Sequence, residues 1–90
     1  MNDLEKARHL INEADKEIIE AFKKRMIAVK EVIKYKKEHN LSILDKGRED
    51  EVKKNNLLRL DDLTLAPYYI EVLDTLLKVS KEYQQELLDE

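Results

Sequence analysis

Residues 2–39 read NDLEKARHLINEADKEIIEAFKKRMIAVKEVIKYKKEH, with no glycine and no proline. Apolar or small residues recur at Leu4, Ala7, Ile11, Ala14, Ile18, Ala21, Ala28, Val32 and Tyr35. That alternating three-four spacing predicts one long amphipathic helix. Arg25 stands where the stripe calls for an apolar residue. Arg8 and Lys36 lie one step off it, at the heptad position they share with Asp15, Phe22 and Val29. Cations on or beside a buried seam must be paired or put to use.

About thirty-six helical residues span roughly 54 Å. A compact domain of this length has a radius of gyration of about 12 Å by the usual scaling. The helix therefore projects beyond any globule the chain can form alone. A second copy of the same chain is the expected cover, giving an intertwined homodimer with two-fold symmetry.

Working outward, the remaining sequence agrees with an all-α chain. It has 90 residues, so a single domain over 1–90 is expected, with a modest core of its own. Charged residues make up 41%, with one glycine and one proline, and no run of alternating β-branched residues suggests a strand. The net charge is −3, with 17 basic and 20 acidic residues closely mixed. That balance speaks against a general nucleic-acid surface but leaves room for a local cationic pocket. There is no cysteine, which excludes thiol catalysis and disulfides. His9 and His39 are too far apart to form a helical ligand pair, so no metal is expected. No segment has membrane-spanning length and no signal-peptide core precedes the helix. A cytoplasmic protein without membrane attachment is the expectation.

The first helix is expected from Asn2 or Asp3 to Glu38, stopping at His39-Asn40 because asparagine tolerates the left-handed conformation. Leu41–Leu44 forms a connector. Asp45 is the expected N-cap of a second, short helix, with Gly47 in its first turn and its end near Leu60. Asp61–Ala66 is a turn. Pro67 is expected at the first position of a third, medium helix reaching about Leu88. Its inward stripe reads Ile70, Leu73, Leu77, Ser80, Gln84, Leu87, so two polar residues one turn apart hold an apolar face.

The polar positions have a geometry. Arg25 and Lys36 are eleven residues apart, which returns to nearly the same helix face roughly 16 Å further on. Two long cations so placed can share a small dianion. Arg8 is roughly 25 Å before Arg25 and cannot reach that ligand from the same straight helix. It can do so from an antiparallel partner helix, with the two-fold axis near Ile18. Asp45, Arg48 and Glu49 fall at i, i+3 and i+4, on one face of a helix start whose free N–H groups can bind an oxygen. Each residue alone has an ordinary explanation: a snorkelling arginine, a solvated lysine, a surface ion pair, a capped helix start, a polar layer that sets register.

Taken together, Arg8, Asp15, Arg25, Lys36, Asp45, Arg48-Glu49, Ser80 and Gln84 resemble, in order and spacing, the all-helical (AroQ-class) chorismate mutases. Ala14–Ile19, Lys24-Arg25 and Val32–Lys36 are similar to that family's first helix, and Asp45-x-x-Arg48-Glu49 to its second-helix entry. The resemblance covers nearly the whole chain. It implies intertwined three-helix chains with two equivalent sites, and no cofactor. It implies that Arg25 and the partner chain's Arg8 bind the side-chain carboxylate of chorismate. Arg48 and Ser80 would contact the ring carboxylate. Glu49 would accept from the ring hydroxyl, aided by the backbone near Asp45. Lys36 and Gln84 would face the ether oxygen. Gly47 and Lys81 depart from what the resemblance leads one to expect, the first in a helix start, the second as a charge beside the substrate ring.

The residue types suit the reaction so implied, an intramolecular Claisen rearrangement to prephenate in the shikimate pathway. It needs no nucleophile, metal or acid–base pair, only a held conformer and donors aimed at the ether oxygen. Relatives acting on isochorismate by pyruvate elimination, or on an amino analogue of chorismate, would use the same cationic clamp. The other reading is a helical dimerisation or regulatory module, alone or in contact with another shikimate-pathway enzyme.

Overall fold

The computed structural model describes residues 2–90 and contains three helices and, among those residues, no strand. Helix α1 spans Asp3–Glu38, α2 spans Lys46–Leu60 and α3 spans Ala66–Leu88. The Asn2 side chain caps α1 by accepting the Glu5 N–H at 2.8 Å. At the other end Asn40 takes φ 56°, while Leu41 N–H donates to Lys36 O at 2.8 Å and Asn40 N–H to Lys37 O at 3.5 Å. That pair of bonds is a Schellman closure, and it turns the chain sharply out of the helix.

Asp45 caps α2, its carboxylate accepting the Arg48 N–H at 3.0 Å. Gly47 has no positive φ, and a Cβ there would meet only Asp45 Oδ1 at 3.6 Å, an ordinary contact. Nothing in the backbone demands glycine at this position. After α2, Asp61 is left-handed at φ 47°. Asp62 then ties the turn by accepting from Thr64 N–H, Thr64 Oγ and Leu65 N–H. The Thr64 hydroxyl, then the Leu65 N–H, hold the Asp62 carboxyl below its usual range. Helix α3 begins one residue earlier than the proline rule predicts. Ala66 is its first residue and Pro67 its second, where the missing N–H is equally harmless because that group has no partner within a helix.

Helix α2 runs antiparallel to α3: Lys53 Nζ meets Asp74 Oδ1 at 2.8 Å, and Glu49 meets Lys81 nearer the other end. The Asp74 hydrogen bond and charge raise the Lys53 pKa. The second half of α1 runs parallel to α3, with Arg25 at Ser80 and Ile33 beside Leu87. Among the described residues the buried ones are few: Val29 and Ile33 of α1, and Leu73, Ser80 and Gln84 of α3. The α1 seam inside the chain is therefore Val29–Ile33, rotated from the expected Ala28–Val32–Tyr35, all three of which are exposed. Leu77 and Leu87 of the α3 stripe are half-buried, but Ile70 is 38% exposed, because α1 covers α3 only from Arg25 onward.

The rest of α1 stands clear of its own chain. Leu4, Leu10, Ile11, Ile18 and Ile19 are all more than half exposed. A second apolar region lies where α2 meets α3, with Leu58, Leu63, Leu65 and Tyr68 exposed. The chain measures 56 × 28 × 15 Å, and its radius of gyration is 16.4 Å, well above the value for a compact domain of this length. Leu73 is 2% exposed, the most deeply buried side chain of that small core. Leu73→Ala is expected to cost about 2–5 kcal/mol, read as a lower urea midpoint at fixed protein concentration.

Candidate active site

One cleft of about 260 Å³ lies between the second half of α1, the start of α2 and the end of α3. Arg25, Lys36, Asp45, Arg48, Glu49, Ser80 and Gln84 all line it. Arg8 does not: it sits on the exposed early turns of α1, seventeen residues before Arg25. The chain thus brings together every residue singled out from the sequence for a ligand site except the one assigned to a partner.

Each helix delivers its groups for a local reason. On α1 the eleven-residue interval puts Arg25 and Lys36 on one wall, with Ala28 and Val32 between them. Arg25 is half-buried, and its Nη1 donates to Ser80 Oγ and, at 3.4 Å, to Leu76 O. Ser80 Oγ in turn donates to Leu76 O at 2.7 Å. Ser80 therefore anchors Arg25 across the helix interface. Its proton is committed to Leu76 O, so its first role is to set the angle of the guanidinium. The outer N–H groups of Arg25 remain for a planar anion.

Lys36 Nζ donates to Ile43 O at 2.8 Å and so ties the α1–α2 connector to the cleft wall. An ammonium has three donors, so two stay free for another acceptor. The Asp45 cap orients the first turn of α2. Arg48 lines the cleft, yet its Nη1 is bound to Glu51 Oε1 at 2.5 Å on the exposed side. Contact with a ligand requires Arg48 to share or exchange that partner. Gln84 is buried, and its Oε1 has no hydrogen-bond partner among the described residues. A buried carbonyl left alone costs about 1–3 kcal/mol. The amide can turn end for end, so it can offer either an acceptor or an N–H pair.

Lys81, in sequence only a departure from the family pattern, is part of the site. It lines the cleft and its Nζ lies 3.1 Å from Glu49 Oε2. The pairing spans 32 positions, which no local spacing rule detects. The apolar walls, Ile43, Val52 and Leu77 among them, were likewise unassigned. Among the described residues no cluster of His, Asp and Glu could hold a metal ion, and no helix is long and apolar enough to cross a membrane.

The lining thus carries four cations, Arg25, Lys36, Arg48 and Lys81, against two carboxylates, Asp45 and Glu49. A pocket with that excess attracts a small dianion with an apolar body. A family model for chorismate mutase type II matches residues 7–85. The chain belongs to the chorismate mutase type II family. Its function is accordingly of the chorismate mutase type in the broad sense. No curated protein and no solved structure matched the chain in the same comparisons. The three helices agree with the all-helical chorismate mutase fold, and the match reaches from before Arg8 to just past Gln84.

Proposed function

We propose that this chain, a single domain over residues 1–90, is a cytoplasmic chorismate mutase. It would convert chorismate to prephenate for phenylalanine and tyrosine biosynthesis and work as an intertwined homodimer. The observation that carries the reading is the cleft itself: a cationic lining of Arg25, Lys36 and Arg48, with Glu49 and Gln84 facing the same space. Family membership supplies the reaction class.

The reaction is concerted. The ether C–O bond breaks as a new C–C bond forms, and no proton leaves or enters. The protein must hold a chair-like conformer and stabilise the charge that grows on the ether oxygen. Arg25, braced by Ser80, binds the side-chain carboxylate together with the partner chain's Arg8. Arg48 binds the ring carboxylate, and Ser80 joins it only by turning its hydroxyl proton away from Leu76 O. Glu49 accepts from the ring hydroxyl beside the capped start of α2. These clamps hold the reacting termini in contact and remove the entropy of finding that geometry. Lys36, through its remaining donors, and Gln84, through Nε2, face the ether oxygen. Both stand in the cleft before the charge develops, Lys36 held by Ile43 O and Gln84 by burial, and donors already in place act most strongly.

The homodimer is supported by the two exposed apolar regions. The early part of α1 and the α2–α3 junction both need cover, and a two-fold partner can lay one on the other. In that dimer Arg8 is assigned to the partner's cleft, since it lies outside its own.

Loss of the ultraviolet absorbance of chorismate on adding purified protein, with prephenate identified as product, tests the reaction. A folded protein that leaves chorismate unchanged overturns it. The pH profile is a second check. Glutamine has no titratable proton, so Gln84 donates at any pH. Turnover is expected to hold from roughly pH 5 to 8, whereas a Gln84→Glu variant, which donates only when protonated, should lose activity over that range. A steep loss in the unaltered protein contradicts the role given to Gln84.

A further inference from the structure

We propose that Lys81 is a specificity-determining residue of this cleft, selecting a ring that presents a neutral hydroxyl to Glu49 and rejecting one that presents an ammonium there. The proposal rests on the reading above that Glu49 receives the ring substituent.

Glu49 is the carboxylate assigned above to the ring substituent, while Asp45 caps α2 through the Arg48 N–H. The Glu49 side chain is 20% exposed and that of Lys81 38%. Lys81 Nζ lies 3.1 Å from Glu49 Oε2 and 3.5 Å from Oε1, so it sits astride both oxygens. This bond joins α2 to α3 across the cleft wall and fixes the Glu49 rotamer. A carboxylate has about four lone-pair sites, so Glu49 keeps room for one more donor. A hydroxyl fills that room at no electrostatic cost. An ammonium filling it is attracted by Glu49 but repelled by Lys81 at a similar distance, and the gain largely cancels. Discrimination by such a repulsive neighbour needs no loss of contact with the preferred ligand.

The test compares kcat/KM for chorismate and for the analogue with an amino group in place of the ring hydroxyl, in the unaltered chain, in Lys81→Met and in Lys81→Arg. Methionine keeps the stem and removes the charge. Arginine keeps the charge. The unaltered chain is expected to prefer chorismate. In Lys81→Met the amino-to-hydroxyl ratio should rise about tenfold or more, equal to about 1.4 kcal/mol. In Lys81→Arg it should stay within about threefold of the unaltered value. A general loss of packing would lower both substrates together and leave the ratio alone. An unaltered chain that prefers the amino ring, a ratio unmoved in Lys81→Met, or an equal rise in both variants overturns the proposal. If the unaltered chain neither binds nor turns over chorismate, the proposed function fails and takes this one with it. Turnover of chorismate with an unmoved ratio sinks the Lys81 assignment alone.

Discussion

Lys36→Ala is expected to lower kcat for chorismate by about a hundredfold or more, some 3 kcal/mol of lost transition-state stabilisation. The ammonium is placed to serve two acceptors. It holds Ile43 O at 2.8 Å, and it keeps donors for an oxygen in the cleft. Alanine removes both. The connector contributes to ground-state binding and stability, so its release raises KM or lowers the urea midpoint. Loss of the donor to a developing anion lowers kcat and kcat/KM alike. Steady-state kinetics beside an unfolding curve therefore separates the two. A drop confined to KM, with kcat kept, would remove Lys36 from the chemistry and leave it as a tether for residues 41–45.

The second large effect concerns Arg8 and Arg25. Arg8→Ala and Arg25→Ala are each expected to reduce kcat/KM by about a hundredfold, as loss of a carboxylate contact made by a charged donor. The informative experiment mixes them. With Arg8 supplied across a two-fold axis, a mixed dimer has one site with both arginines and one with neither. Unfolding and refolding the two variants in equal amounts should make half the dimers mixed. About a quarter of the unaltered activity then returns. Arg8 acting within its own chain, or not at all, leaves the mixture as inactive as its parts. The structure of one chain shows why the question arises: its own Arg8 lies outside its own cleft.

Much of the fold was legible because its signals are local. Asn2, Asn40 and Asp45 act within a turn of where they stand, and the bounds of α1 and the start of α2 follow from them. The start of α3 was less so. The turn made by Asp62 with Thr64 and Leu65 delivers Ala66 into the helix one residue before the proline. Periodicity on α1 reported an apolar face but not what covers it. Val29 and Ile33 are covered by the chain itself, while Leu4, Ile11 and Ile18 are not, although all belong to the same helix. In the cleft, Arg25, Lys36, Asp45, Arg48, Glu49, Ser80 and Gln84 were legible through their spacing and the family pattern. The bond between Lys81 and Glu49 was hidden, since it depends on which way α3 faces α2. The bonds that already occupy Ser80 and Arg48 were equally beyond a reading of residue types.

The small interior makes the proposed homodimer sensitive to concentration. Among the described residues Val29, Ile33 and Leu73 are the buried apolar side chains, a small core to set against the entropy of ordering three helices. In the proposed homodimer, folding and pairing would be one event. The supply of working sites then follows the square of the free chain concentration. Dilution would silence such a protein before any inhibitor did, and the amount synthesised would itself act as a control on the reaction.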